Sequence, residues 1–208
     1  VSRRRRTLLK TAVWIACLAP LASLLYWAAV GELTANPIDF ITDTLGDWTL
    51  RILLAGLALT PLRLLTGAAW PVAFRRLLGL FAFFYATLHL GVWVVVDHFF
   101  DWPQMFADIL KRRYITVGML AVALMLPLAA TSTGRMIRRL GGARWRSLHR
   151  LVYATAILGV LHYLWLAKVG VVQPYFYAAV LALLLGIRLW DVLRRRGAAG
   201  RIAEPGAG

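Results

Sequence analysis

The stretch LHRLVYATAILGVLHYLWLA, residues 148–167, decides the fold: its strongly polar members are His149, Arg150 and His162, and the rest is almost wholly apolar. A helix of this length rises about 30 Å, the thickness of a bilayer's hydrocarbon core. An ionisable imidazole is costly in hydrocarbon unless something pairs with it, so the two histidines mark a candidate functional site before any other feature is weighed.

Five further segments read the same way: Leu8 to Val30, Trp48 to Leu65, Leu77 to Val96, Tyr114 to Ala130 and Pro174 to Val192. With Leu148 to Ala167 they predict an all-α, polytopic membrane protein with six transmembrane helices in one bundle. Little of the 208 residues is left over, so a separate soluble catalytic domain is excluded. The chain reads as one membrane domain over 1–208 with short basic tails at 1–7 and 193–208. Composition agrees: 61% of residues are hydrophobic and 16% charged, against about 25% charged in soluble domains, and the mean hydropathy is +0.69. The first segment follows an arginine run as a secretion signal would. Its apolar stretch is too long for one and shows no small-residue cleavage site, so a retained helix is expected.

The net charge of +15 arises in clusters separated by apolar spans, which speaks for topology and against a nucleic-acid surface. If Arg3 to Arg6 are cytoplasmic, all but five of the 24 Lys and Arg residues fall inside, the exceptions being Arg51, Lys111, Arg112, Arg113 and Lys168. The positive-inside rule then puts both termini in the cytoplasm. Glu32, Asp39, Asp43, Asp47, Asp97, Asp101 and Asp108 fall outside. Lys111 to Arg113 sit on the disfavoured side, where they serve either as interfacial snorkelling residues or as a dock for an acidic partner. Trp27, Trp48, Trp93, Trp102 and Trp165 form an outer aromatic belt, and Trp14, Trp70, Trp145 and Trp190 an inner one.

His89 falls beyond the middle of the third segment and His162 in the outer half of the fifth, so two imidazoles lie at matched depth on two helices. Facing helices that each donate one imidazole can share a haem iron; the alternative is that each ring simply bonds a neighbouring helix or a water. His149 lies 13 residues before His162, about 20 Å lower and about 140° round an ideal helix, so those two cannot share one iron. A bulge, or a site at the helix mouth, is needed to turn both toward one channel. Arg75, 14 residues before His89, comes within about 40° of the same face and about 21 Å deeper, at the level of His149. It reads either as a positive-inside arginine or as a contact to a second haem, through a propionate or the iron. His98 reads as interfacial, and Tyr85, Tyr153 and Tyr163 as packing or interfacial residues.

Cys17 is the only cysteine, which excludes disulfides, cysteine-ligated iron–sulfur clusters and covalent haem attachment within the chain. Any haem must be b-type. No Gly-rich or Walker nucleotide motif occurs.

The strings Arg75-Arg76-Leu77-Leu78-Gly79-Leu80, Phe84-Tyr85-Ala86-Thr87-Leu88-His89, Lys111-Arg112-Arg113-Tyr114-Ile115-Thr116-Val117-Gly118, Pro127-Leu128-Ala129-Ala130-Thr131-Ser132, Trp145-Arg146-Ser147-Leu148-His149-Arg150-Leu151-Val152-Tyr153 and Leu161-His162-Tyr163-Leu164-Trp165 resemble the MsrQ family, formerly YedZ. Asn36-Pro37 and Thr60-Pro61 fit as well. These are haem-binding membrane subunits of the bacterial periplasmic methionine sulfoxide reductase system, within the ferric-reductase-like transmembrane superfamily. The resemblance covers nearly the whole chain. It implies a six-helix inner-membrane electron-transfer subunit, rather than the catalytic one, that passes electrons through b-haem to a periplasmic molybdopterin enzyme. It carries haem ligation onto His89, His149 and His162, and implies FMN involvement with the quinone pool or a cytosolic flavin reductase as donor. Ferric reductases and NADPH oxidases usually carry two histidines 13 or 14 apart on each of two helices; here Arg75 stands where one inner histidine would be. The cytosolic flavin and nicotinamide domain of those oxidases has no counterpart, so electrons must arrive from another molecule.

The expected mechanism is one-electron relay from an inner donor to an outer acceptor. The inner Arg135, Arg138, Arg139, Arg144 and Arg146 serve either topology or attraction of an acidic donor or flavin phosphate. The outer loops, Gly31 to Asp47 and Asp97 to Arg113, are the expected docking surface. The alternatives are a quinol or ferric reductase with a small-molecule acceptor, and a proton-coupled transporter, though no internal repeat of the kind transporters show is visible.

Overall fold

The computed structural model describes residues 3–202, with side chains to 196. Residues 1–2 and 203–208 of the two basic tails lie outside the described residues. All regular structure among the described residues is helical: α1 (Arg3–Val30), α2 (Pro37–Thr66), α3 (Arg75–Val92), α4 (Trp102–Lys111), α5 (Arg113–Ala130), α6 (Gly134–Leu140), α7 (Gly142–Leu148), α8 (Leu151–Leu166) and α9 (Gln173–Ile202). A 3-10 turn, Trp70–Phe74, leads into α3, and a π-helical turn, Trp93–Asp97, follows it. Five helical stretches are long and apolar enough to cross a membrane: α1, α2, Trp70–Asp97, α5 and Gln173–Arg196 of α9. The sixth expected segment forms the 16-residue α8, about 24 Å long.

α2 begins 11 residues before the predicted Trp48, because Asn36-Pro37 is a start signal. The Asn36 side chain caps Asp39 N–H at 3.4 Å and Pro37 fills the first turn, where no N–H is needed. Gly67 ends the helix in the left-handed region at φ 71°. The expected outer loop Gly31 to Asp47 is therefore mostly the first turns of α2, and the second, Asp97 to Arg113, is largely α4. The chain also breaks between α7 and α8, so His149 lies at the mouth of α8 and its phase relative to His162 is not that of one continuous helix.

α2, α3, α5 and α8 form the central ring, with α9 packed on α2 and α8, and α1 on α2. One end of the bundle carries the acids of the 32–47 and 97–108 segments, and the other the arginines of the N-terminus, α6 and α7. We refer to these as the acidic and basic ends.

Two prolines inside long helices open backbone gaps that side chains from other helices fill. Pro20 disrupts α1, and the Leu21 N–H and Cys17 C=O that would form the adjoining rung both bond the Tyr85 hydroxyl of α3, at 3.1 and 2.7 Å. Pro61 has no N–H for the Leu57 carbonyl one turn earlier in α2; Arg188 of α9 donates to that oxygen at 2.5 Å and also bonds the Tyr153 hydroxyl of α8. Tyr85, only 1% exposed, is thus a backbone brace as well as a packing residue. Tyr85→Phe leaves two backbone groups unpartnered and should lower unfolding free energy in detergent by about 1–3 kcal/mol. Arg188→Leu should cost a similar amount, and less when Pro61→Ala restores the missing N–H. Equal losses in both backgrounds would refute the pairing.

Candidate metal centre

His89 of α3 and His162 of α8 face one another across the central ring, with ring centres 6.2 Å apart and planes at 85°. Each ring is fixed by its Nδ1: that of His89 donates to the Thr42 carbonyl of α2 at 2.9 Å, and that of His162 to the Tyr114 carbonyl of α5 at 2.7 Å. A carbonyl cannot donate, so the proton is on Nδ1 and the lone pair on Nε2. Neither Nε2 has a hydrogen-bond partner among the described residues. Two imidazoles sharing a metal at about 2.0 Å per bond have ring centres about 6 Å apart, so the observed spacing fits a metal held between two axial nitrogens. Among the described residues no group of three or more His, Cys, Asp or Glu could hold a metal ion by itself. The donor set fits an ion whose equatorial ligands come from a macrocycle, as in haem.

Each ring also lies over a glycine one turn beyond its carbonyl acceptor. A Cβ on Gly118 would stand 2.7 Å from His162 Nδ1, and one on Gly46 would stand 3.2 Å from His89 Nδ1 and Cε1. The trio Thr42, Gly46, His89 on α2 and α3 thus repeats as Tyr114, Gly118, His162 on α5 and α8. Sequence reasoning missed these four supporting positions. Their signal was a glycine inside an apolar helix, often a point of close approach.

The other two predicted residues, His149 and Arg75, are brought together at a different place. Both line a cavity of about 560 Å³ on the basic side of the His89–His162 pair, with Leu53, Leu57, Phe83 and Met125 forming its apolar body. Arg76, Arg146 and Arg150 join Arg75 in the lining, which contains no acid. His149 Nε2 and Thr131 Oγ1 are hydrogen-bonded at 3.2 Å, and that hydroxyl also lies 2.6 Å from the Pro127 carbonyl. Trp145 stacks on His149 with ring centres 4.0 Å apart, and its indole N–H bonds the Thr131 carbonyl at 3.0 Å. That tryptophan, expected in an interfacial belt, packs directly on a candidate ligand.

His98 lies apart from both places, at the acidic end. Its Nε2 is 3.3 Å from the buried Asp108, its Nδ1 is 3.2 Å from Asp97, and its ring packs on Trp93. Asp108 also pairs with Arg112 at 3.4 Å. A hydrogen bond to the Tyr114 hydroxyl, with Asp108 nearby, pushes the Arg112 guanidinium above its ordinary pKa. These contacts tie α4 across the end of α3 and α5.

The family model described as ferric reductase like transmembrane component matches residues 45–160, a span that holds Gly46, His89, Gly118 and His149 and stops just before His162. Over 196 residues the chain is 52% identical to the protein-methionine-sulfoxide reductase heme-binding subunit MsrQ of Rhodospirillum rubrum, covering 94% of each chain. It is 50% identical to the MsrQ subunit of Ralstonia nicotianae over 94% of this chain and 92% of that one. Against the MsrQ subunit of Herminiimonas arsenicoxydans it is 48% identical, over 91% and 88%. The chain therefore belongs to the MsrQ family of haem-binding subunits, within the ferric-reductase-like transmembrane family.

Proposed function

We propose that this chain is a single membrane domain that carries electrons across the bacterial inner membrane through b-type haem held by His89 and His162. Its acceptor is a periplasmic molybdopterin methionine sulfoxide reductase subunit, and it is the electron-transfer partner of that catalytic subunit. The observation that carries this reading is the pair of imidazoles 6.2 Å apart with both Nδ1 atoms engaged by carbonyls. In this reading α8 is the sixth span, the basic end is cytoplasmic with both termini, and the acidic end is periplasmic. The lone Cys17, buried in α1, leaves non-covalent b-type attachment.

When bound, haem supplies an iron that gains and loses one electron. The protein's part is ligation and environment. The Thr42 and Tyr114 carbonyls fix the tautomer of each ligand and raise its basicity, which favours the ferric state. The apolar faces of the central ring exclude water from the site.

At the basic end, His149 offers a nitrogen and Arg75 a cation to the 560 Å³ cavity. This supports a second b-haem there, with His149 toward the iron and Arg75 toward a propionate or the iron. The same arginines suit the phosphate of FMN, which then would rely on charge alone. Electrons enter from the quinone pool or a cytosolic flavin reductase.

A reduced-minus-oxidised spectrum of protein made with ample haem should show b-type bands, and their absence would sink the relay. Ala at His89 or His162 should abolish the bis-imidazole signal. Ala at His149 or Arg75 should leave that signal and lower the haem-to-protein ratio from two toward one; an unchanged ratio would remove the second haem. Gly118→Ala should weaken haem binding by about 10–100-fold, the usual scale for disturbing a ligand's support, and Gly46→Ala by less. Electron transfer from the reduced chain to the isolated periplasmic partner, rather than to quinone or ferric iron, identifies the acceptor.

A further inference from the structure

The basic cluster at the acidic end is a charged feature that the relay does not absorb. Of the basic side chains there, Arg51 bonds Tyr177 and Asp47, and Arg112 bonds Tyr114 and Asp108. Lys111 and Arg113 make no side-chain hydrogen bond or ion pair with any described residue. Yet this end carries most of the chain's acids. These two cations, with Tyr114 and Trp165, line an open cleft of about 400 Å³.

Tyr114 joins this cleft to the metal centre. Its carbonyl accepts from His162 Nδ1 at 2.7 Å and its ring centre lies 6.0 Å from that of His162. His162 is four residues from the end of α8, and Tyr114 is the second residue of α5, so the ligand lies about 6 Å of helix rise from the acidic end. Haem has one polar edge bearing two carboxylates. Buried in hydrocarbon without a cation these would be very costly, so that edge must meet either water or positive charge. Unpartnered positive charge flanks the cleft lined by Tyr114, the residue whose carbonyl holds His162.

We propose that Lys111 and Arg113 bind the propionate carboxylates of the haem ligated by His89 and His162. This rests on the ligand reading above. It accounts for two of the three clustered cations kept at the end disfavoured by the positive-inside bias. Arg113 suits two-pronged recognition of a carboxylate, and Lys111 supplies a mobile point charge.

The test uses the full chain in lipid nanodiscs, comparing Lys111→Gln, Arg113→Gln and the double variant with Lys168→Gln, which removes a basic residue not lining the cleft. The readouts are the midpoint potential and its pH dependence, and the rate of haem loss to an acceptor globin. Removing a cation beside ionised propionates makes the site more negative, favours ferric iron and lowers the potential. The double variant should show this with its bis-imidazole spectrum retained. Its haem loss should speed by about tenfold, the low end for losing a charge-assisted hydrogen bond. Lys168→Gln should match the parent, and Lys111→Arg and Arg113→Lys should restore most of the effect. An unchanged potential and haem-loss rate in the double variant would overturn the proposal. So would unchanged values accompanied by weaker binding of the periplasmic partner, which would make the cluster a docking surface. A parent protein without a bis-imidazole spectrum would instead defeat the ligand reading itself.

Discussion

A hydrocarbon surrounding offers no water to hydrogen bond, so every polar group in the bundle must find its partner within the protein. The geometry of the candidate metal centre follows from this constraint. A helix carbonyl already accepts from the N–H four residues on, but it has a second lone pair. Gly46 and Gly118 bare that lone pair on Thr42 and Tyr114, because no side chain covers the approach one turn later. The histidine rings satisfy their Nδ1 atoms there, and each Nε2 is left without a hydrogen-bond partner among the described residues. The same need explains why Tyr85 and Arg188 reach into helices interrupted by Pro20 and Pro61.

Most of the long helices were legible because apolar length is a direct consequence of bilayer thickness. The start of α2 was misplaced because Asp39, Asp43 and Asp47 look like loop residues when counted by polarity, whereas the Asn36-Pro37 cap is a local hydrogen-bond signal that outweighs them. His89 and His162 were legible from depth alone. Their supports were not, since a carbonyl is present at every position and only the packing of α2 on α3 and of α5 on α8 selects which one is used. The ideal-helix phase of His149 relative to His162 does not apply, because the chain breaks at His149 and Arg150 between α7 and α8, which leaves His149 at the helix mouth that the sequence offered as one alternative. No repeat was visible in sequence, for the repetition resides in two trios of residues and in no extended string.

The two ends of the bundle differ in the chemistry they offer. The basic end presents a roomy cavity with many cations and no acid in its lining. The acidic end presents acids, a tightly tied α4 and a cluster of bases beside Tyr114 and Trp165. His89 and His162 lie in the half nearer the acidic end, beyond Phe83 and Thr155 of the cavity lining on the same two helices. Anything held between those histidines would sit nearer the acidic end than the basic one.

Each candidate ligand is anchored within its own helix pair, His89 of α3 by α2 and His162 of α8 by α5. The chain can therefore complete each half of the site during its own local assembly, before the halves meet. A cofactor held by both histidines would then join the two helix pairs, like a rivet through two plates. Maturation of the subunit is in this sense a docking problem within one polypeptide, and the order of synthesis, with α2 and α3 emerging well before α5 and α8, lets the first plate wait for the second.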